Sequence, residues 1–222
     1  MHGNDQPQPA SAVFNRLRRE YTHRGLDEQM ARRNPLDQFT AWLYEAVDAR
    51  IVEPNAMVLA TADAQGRPAA RAVLLKDFDE RGFVFFTNYE SRKGHELNEN
   101  PRASLLFLWK ELERQVRVDG PVQRVSREES EAYFRSRPFE ARLGAWASPQ
   151  SRPVAARSTL EAALEALRVR HASQDVPLPP YWGGYRLQPQ DMEFWQGRPN
   201  RLHDRLLYTR SAAGWTVQRL AP

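Results

Sequence analysis

The sequence predicts a mainly β protein, an antiparallel sheet or barrel with helices on its flanks. Three observations lead there. Residues 57–62, 70–78, 83–88, 103–109 and 115–125 are short apolar or alternating runs that follow one another closely. Turn chemistry separates them, as in Asp63-Ala64-Gln65-Gly66 and Asp79-Glu80-Arg81-Gly82, and connections that short join antiparallel neighbours, whereas a parallel crossover needs a dozen or more residues. After two helical stretches the short-strand pattern returns, in residues 185–187, 192–196, 203–209 and 215–220.

Along the chain, residues 1–12 are polar, carry Pro7 and Pro9, and read as a disordered tail without the apolar core of a signal peptide. Residues 13–222 read as one domain, because no linker or composition break divides them and a 41% hydrophobic content supplies one substantial core. Phe14 to Tyr21 is a short, very basic helical candidate. Leu36, Phe39, Leu43, Ala46 and Val47 recur at helical spacing, so residues 36–51 form an amphipathic helix. Residues 91–99 are a helix inserted among the strands. Ser126-Arg127-Glu128-Glu129 has the form of a capping box and opens a helix toward Arg137, which Pro138 ends. A longer helix spans residues 153–171, with Leu160, Leu164 and Leu167 on one face, and Val176-Pro177-Leu178-Pro179-Pro180 is a rigid connector.

Composition narrows the chemistry. The chain has no Cys, which removes disulfides, thiolate metal sites, a cysteine nucleophile and any cofactor tether through sulfur, and it fits a reducing, cytoplasmic setting. No apolar run approaches the roughly 20 residues of a membrane span. There is no Walker-type loop, no GxGxxG after a strand, no HExxH, no EF-hand loop and no GxSxG elbow. Five His without Cys point to no metal site. The net charge of +4 suits phosphate-bearing ligands and equally suits nucleic acid.

Four groups of residues carry the functional reading. Arg92 and Lys93 follow a strand and open a helix; cations in a first turn oppose the helix dipole, and an anion held by the free N–H groups would relieve them. Without one they are solvated charges at a frayed end. Arg71 and Lys76 flank an apolar strand and, by alternation, face opposite sides, which suits two different ligands or two strand-end charges. Arg201, His203 and Arg205 fall on one face if that stretch is a strand, either as a cationic ligand surface or as an edge protected by charge. Tyr133 and Arg137, four apart, share a helix face and make a phenol-guanidinium phosphate clamp or an ordinary basic C-terminus. Trp146, Trp182 and Trp195 can wall a flat ring or simply pack.

In order and spacing, these segments resemble the pyridoxamine 5'-phosphate oxidase family from about residue 14 to the end. The resemblance is carried by Arg18-Arg19-Glu20-Tyr21, Arg71-Ala72-Val73-Leu74-Leu75-Lys76, Thr87-Asn88 with Ser91-Arg92-Lys93, Glu113-Arg114-Gln115-Val116, and Tyr133 to Pro138. It continues through Gly144-Ala145-Trp146, Gln150-Ser151, Trp182-Gly183-Gly184, Glu193-Phe194-Trp195-Gln196-Gly197, Arg201-Leu202-His203-Asp204-Arg205 and Arg219 to Pro222. The most specific signal is Arg-Leu-His-Asp-Arg after Phe-Trp-Gln-Gly.

The resemblance implies an antiparallel split β-barrel homodimer that binds FMN at the subunit interface. It implies oxidation of pyridoxine 5'-phosphate and pyridoxamine 5'-phosphate to pyridoxal 5'-phosphate, with O2 as acceptor and H2O2 as product. Arg71, Arg92 and Lys93 would hold the FMN phosphate with Thr87 and Ser151. Gln115, Gln150, Trp195 and Arg205 would meet the flavin ring, and Val73, Leu74 and Phe86 would line the cofactor. Lys76, Tyr133 and Arg137 would hold the substrate phosphate, Arg201 and His203 would face the reacting side of the substrate, and Arg18 and Tyr21 would belong to a flap over it. One position departs from the family pattern: Ala141 stands where a Ser phosphate ligand is expected four residues after the clamp Arg. Other readings to separate are an FMN oxidase acting on another ring such as a phenazine precursor, a non-catalytic flavin or pyridoxal phosphate carrier, and a basic RNA-binding module. No membrane or nucleic-acid partner is expected.

Overall fold

A computed structural model describes Tyr21 and residues 25–222. The tail at 1–12, Arg18 and the rest of the basic segment before Tyr21 lie outside the described residues.

Helix α1 (Pro35–Asp48) starts where Asn34 caps it, its side chain accepting the Leu36 N–H, with Pro35 in the first turn where no N–H is needed. It buries Leu36, Phe39, Trp42 and Ala46 against a sheet. Phe39 meets Phe78, Phe83 and Phe107 edge-on at 4.9–5.0 Å, so three strands converge on one helical side chain.

The strands are β1 (Ala56–Ala62), β2 (Pro68–Leu74), β3 (Asp77–Asp79), β4 (Gly82–Asn88), β5 (Arg102–Trp109), β6 (Arg114–Arg124), β7 (Trp182–Leu187), β8 (Asp191–Gln196), β9 (Asp204–Ser211) and β10 (Gly214–Arg219). Every pairing is antiparallel. The main order is β10-β9-β8-β6-β5-β1-β2, with β3-β4-β7 attached through β6. Strand β6 serves both parts: Arg114 to Asp119 pair with β8, and Val122 to Arg124 pair with β7. Gly120 sits at that change of partner, where a Cβ would lie 1.9 Å from the Gln188 carbonyl oxygen, so only glycine permits the crossing. The outcome is the antiparallel half-barrel with flanking helices that the sequence predicts. Helix α2 (Arg92–Glu99) joins β4 to β5. Helices α3 (Arg127–Ser136), α4 (Phe139–Ala147) and α5 (Arg157–Arg170) lie between β6 and β7. They build a smaller cluster around Phe134, Leu143, Val176, Leu178 and Trp182. Both halves of the Ser126–Glu129 capping box form.

Three expectations change. The strand at 70–78 is two strands, because Leu75 N–H bonds Asn55 and Lys76 N–H bonds Val84, which carries the chain from one part of the sheet to the other. Helix α4 was not anticipated; Pro138 ends one helix and immediately precedes another, too short to show periodicity. Helix α5 begins at Arg157 rather than 153, and its face contributes only Leu164 and Leu167, both partly buried, to the small cluster.

The sheet leaves one face outward. Across it, Ala72, Val58, Leu106, Arg117, Glu193 and Leu207 lie in register. Val58 is 38% and Leu108 54% exposed, with Ala60, Ala70 and Ala72 beside them, an apolar patch of the kind that marks an association surface.

Candidate functional site

The expected residues gather in three groups. The first surrounds the start of α2. Ser91 caps the helix, accepting the Gly94 N–H and donating to the Asn88 carbonyl. Lys93 Nζ donates to Gln150 Oε1 at 2.9 Å, Thr87 Oγ1 at 3.2 Å and Ser91 Oγ at 3.3 Å. None of these acceptors is charged. Burial, then the neighbouring Arg71, lowers the Lys93 ammonium to about 8, only partly offset by Glu96. Arg71 donates to Leu59 O, to Thr61 Oγ1 and, at 2.9 Å, to Glu96 Oε2. Arg92 Nε holds the other Glu96 oxygen at 2.8 Å. Glu96, 6% exposed, thus ties both arginines together. Sequence reasoning missed it; the i,i+4 spacing from Arg92 was the available signal. A cavity of about 790 Å³ opens beside Arg92, Glu96, Gln150 and Ser151, with Ser151 at φ 70°.

The second group adjoins the first through β4. Phe86, next to Thr87, stacks on Tyr133 at 3.9 Å and on Trp182 at 5.6 Å. Arg137, which caps the end of α3, lies over Trp182 at 4.7 Å. Its Nη1 is buried with no hydrogen-bond partner, and burial presses its pKa downward against slight help from Tyr133. Buried donors are rarely left unpaired without a ligand or water to receive them. Tyr133 and Arg137 both lie against Trp182, but they do not share a helix face, because Arg137 is already extended beyond the last turn. Lys76 sits exposed in the connection between β2 and β3, outside both strands, so strand alternation does not fix its direction relative to Arg71.

The third group lies on the outward face of the sheet. Gln115, Trp195 and Arg205 stand in register on β6, β8 and β9. Trp195 meets His203 at 4.7 Å and Tyr21 at 5.7 Å. His203 Nδ1 accepts the Arg198 N–H at 3.1 Å, which places the proton of the neutral ring on Nε2. Burial, then Arg201, holds the His203 pKa below its ordinary value, with Asp204 opposing. Here one expectation is overturned. Arg201 and His203 are not on a strand: Pro199–Arg201 is a 3-10 turn with Arg201 at φ 62°, and β9 begins at Asp204. Arg201, His203 and Arg205 therefore share no strand face. The Pro199-Asn200 pair turns the chain before pairing starts.

Register also divides the expected cofactor residues. Arg71 is opposite Leu59, and that row continues through Leu105, Val118 and Met192, all core-facing; Val73 likewise packs toward the core, while Leu74 is half-buried at the end of β2. Gln115, Trp195 and Arg205 point the other way. Within one protomer the two sets occupy opposite faces of the sheet. Among the described residues no cluster of His, Asp or Glu is placed to hold a metal ion, and no helix is long and apolar enough to cross a membrane.

An antiparallel half-barrel with flanking helices and cation-bearing groups at its margins defines a split-barrel protein. The family model described as pyridoxamine 5'-phosphate oxidase matches residues 43–171, and the one described as pyridoxine 5'-phosphate oxidase C-terminal dimerisation region matches residues 182–222. The chain belongs to the pyridoxine/pyridoxamine 5'-phosphate oxidase family. It is 57% identical over 216 residues to the pyridoxine/pyridoxamine 5'-phosphate oxidase of Rubrobacter xylanophilus, covering 97% of this chain and 100% of that one. It is 56% identical over 207 residues to that of Gloeothece citriformis, covering 93% and 97%. Among solved structures, PhzG from Burkholderia lata 383, in complex with tetrahydrophenazine-1-carboxylic acid, superposes with a TM-score of 0.86 at 33% identity, covering 91% of this chain and all of that one. A pyridoxamine 5'-phosphate oxidase-related, FMN-binding protein of Nostoc punctiforme shares the fold, at TM-score 0.67 and 21% identity over 85% of this chain and 97% of that one.

Proposed function

We propose that this protein is a cytoplasmic, FMN-dependent oxidase of pyridoxine 5'-phosphate and pyridoxamine 5'-phosphate, acting as a homodimer and built as one domain over residues 13–222. The observation that carries the substrate assignment is the buried, partnerless Arg137 Nη1 beside Tyr133 and Trp182. A phosphate monoester supplies the missing acceptor, and the aromatic wall suits its attached ring.

The first group fits the phosphate of FMN. Lys93 and Arg71 repel each other in a partly buried setting, and the Lys93 partners are all neutral. A phosphate dianion there reverses that repulsion. Arg71, Arg92, Lys93, Thr87 and Ser151 would hold it. Gln115, Trp195 and Arg205 would meet the ring, with Gln150, Val73, Leu74 and Phe86 lining the rest. Because Arg71 and the ring set lie on opposite faces of one sheet, two copies would supply one site. The apolar outward face and the match to a dimerisation region support that assembly.

FMN, held by these residues, would supply the hydride acceptor and the route for two electrons to O2, the substrate's hydroxyl or amine proton completing H2O2. The protein's own residues orient and polarise. Arg201, always protonated, is a fixed positive charge beside the substrate and not a base. His203, neutral with its proton on Nε2, donates toward a ring substituent. Lys76, Tyr133 and Arg137 anchor the phosphate, while Tyr21 covers the substrate. The test is O2 uptake by FMN-loaded protein with pyridoxine 5'-phosphate, with pyridoxine, and with tetrahydrophenazine-1-carboxylic acid. Turnover confined to the phosphate ester is expected. A colourless protein that takes up no FMN, or one that consumes O2 only with the phenazine acid, refutes the reading. FMN binding without O2 uptake identifies a carrier instead.

Ala141 leaves one phosphate contact missing, and Arg142 is a candidate to replace it. Its buried Nε has no partner among the described residues and is the atom that the Arg142→Ala arm below tests, but the structure engages its Nη1 in an ion pair with Asp175. Ala141→Ser is therefore expected to tighten pyridoxal 5'-phosphate binding about two- to tenfold, less than a full hydrogen bond to a charged group because other donors and water already serve the phosphate. Arg142→Ala should leave that dissociation constant within about twofold. Unchanged affinity in the first variant with a large loss in the second would reverse the assignment.

A further inference from the structure

Glu193 is a buried carboxylate on the outward face of the sheet, in register between Arg117 and Leu207. Its side chain is 7% exposed, and a carboxylate held away from water needs a specific reason. Two arginines from flanking strands supply it. Arg205 Nε on β9 donates to Glu193 Oε1 at 2.7 Å. Arg117 Nη2 on β6 lies 3.0 Å from Oε2, as an ion pair without the alignment of a hydrogen bond. The stronger tie is to Arg205. A second Arg205 nitrogen, Nη1, donates to the Ala221 carbonyl at 2.9 Å. With Nε and Nη1 both held, the planar guanidinium loses its freedom to rotate, and Nη2 is the nitrogen left without a partner among the described residues. Arg205 stands in register with Trp195 and Gln115. Glu193, two residues before Trp195 on the same strand face, is placed to set the angle of that row.

We propose that Glu193 is a positioning residue for the flavin-facing row, orienting the Arg205 guanidinium so that its free nitrogen meets the cofactor ring. The assignment rests on the reading above that Arg205 contacts FMN. A carboxylate retained only to neutralise charge would act on folding and not through Arg205; a positioning carboxylate acts through Arg205 alone.

The experiment is a double-mutant cycle on the full-length protein stripped of cofactor and titrated with FMN, read by quenching of flavin fluorescence. Thermal unfolding is followed in parallel. Glu193→Gln keeps shape and removes charge. It is expected to weaken FMN binding about 10- to 100-fold, the worth of one hydrogen bond to a charged group. Arg205→Leu is expected to weaken it at least as much. In the Arg205→Leu background, Glu193→Gln should change the dissociation constant by less than about twofold, because the residue through which it acts is gone. FMN affinity within about twofold of the parent in Glu193→Gln, or a loss that adds in full to that of Arg205→Leu, overturns the proposal. If Glu193→Gln does not fold, Glu193→Asp runs the same cycle with a smaller expected loss, about three- to tenfold, which must likewise vanish without Arg205. Parent-like affinity in Arg205→Leu alone would fault the flavin contact of Arg205 and the proposal with it. No FMN binding by the unmodified protein would instead fault the functional reading as a whole.

Discussion

Arg137→Leu should lower kcat/KM for pyridoxine 5'-phosphate by about 100- to 1,000-fold, while the cofactor-free protein keeps its stability to within about 1 kcal/mol. The two halves of this expectation have one cause. Arg137 lies half-buried over Trp182 with Nη1 lacking a protein partner, so the free protein carries a desolvated donor that a bound phosphate would satisfy. Truncating one member of a buried, hydrogen-bonded charge pair removes several kcal/mol of binding, about 3–4 here. In the unliganded state the same truncation relieves a desolvation penalty of about 1–3 kcal/mol and forfeits a cation-π contact of similar size. Because the phosphate is remote from the reacting carbon, most of the loss should appear in KM, as expected for binding shared by ground and transition states. FMN affinity should not move. Steady-state kinetics with pyridoxine 5'-phosphate and with unphosphorylated pyridoxine, alongside thermal melts, decide the matter. An equal loss with both alcohols would show that Arg137 serves the fold or the flavin and not the phosphate.

Arg71→Leu should do the opposite, lowering stability and FMN affinity together. Glu96 is 6% exposed and shared among Arg71, Arg92 and Thr61. Removing one cation from a buried pair costs about 3–5 kcal/mol, and the two surviving partners reduce this to about 2–4. For a chain of this size that is a fall in melting temperature of roughly 10 °C. The effect depends on pH. Burial raises the Glu96 pKa, but hydrogen bonds from Thr61, Arg92 and Arg71 together outweigh it and leave the folded value below 4.5. A depressed carboxyl pKa contributes stability that is present above the unfolded value and is lost as pH falls through the folded one. The gap between Arg71→Leu and its parent should therefore be widest near neutrality and narrow below pH 4.5. Melts of the cofactor-free proteins across this range test it, and a gap that persists unchanged in acid would remove Glu96 from the explanation. FMN titration at pH 7 should show a loss of about 100-fold, since Arg71 and Lys93 face the same ligand.

Much of this molecule is local in origin and therefore legible. Period-two runs become strands because alternate side chains must find opposite faces, and the residues at 57–62, 83–88 and 103–109 did so with boundaries shifted by one residue at most. The Ser126–Glu129 box formed in full because both of its bonds lie within one turn. The order and spacing of the Arg71, Arg92-Lys93, Tyr133-Arg137 and Arg201-to-Arg205 segments sufficed to identify the family.

What tertiary structure decided concerns charge and direction, and the reason is distance along the chain. Arg71 meets Glu96 from 25 residues away, and Arg205 meets Glu193 from 12. Which cation is neutralised, and which is left for a ligand, depends on neighbours that no local pattern brings together. Direction failed the sequence reading for the same reason. Lys76 leaves the strand because Asn55 and Val84 claim the backbone beside it. Arg201 sits on a turn because strand pairing starts only at Asp204, opposite Gln196. Periodicity specifies which residues share a face once an element exists; the hydrogen-bonding partners across the sheet determine where that element begins and ends, and so which way its functional side chains point.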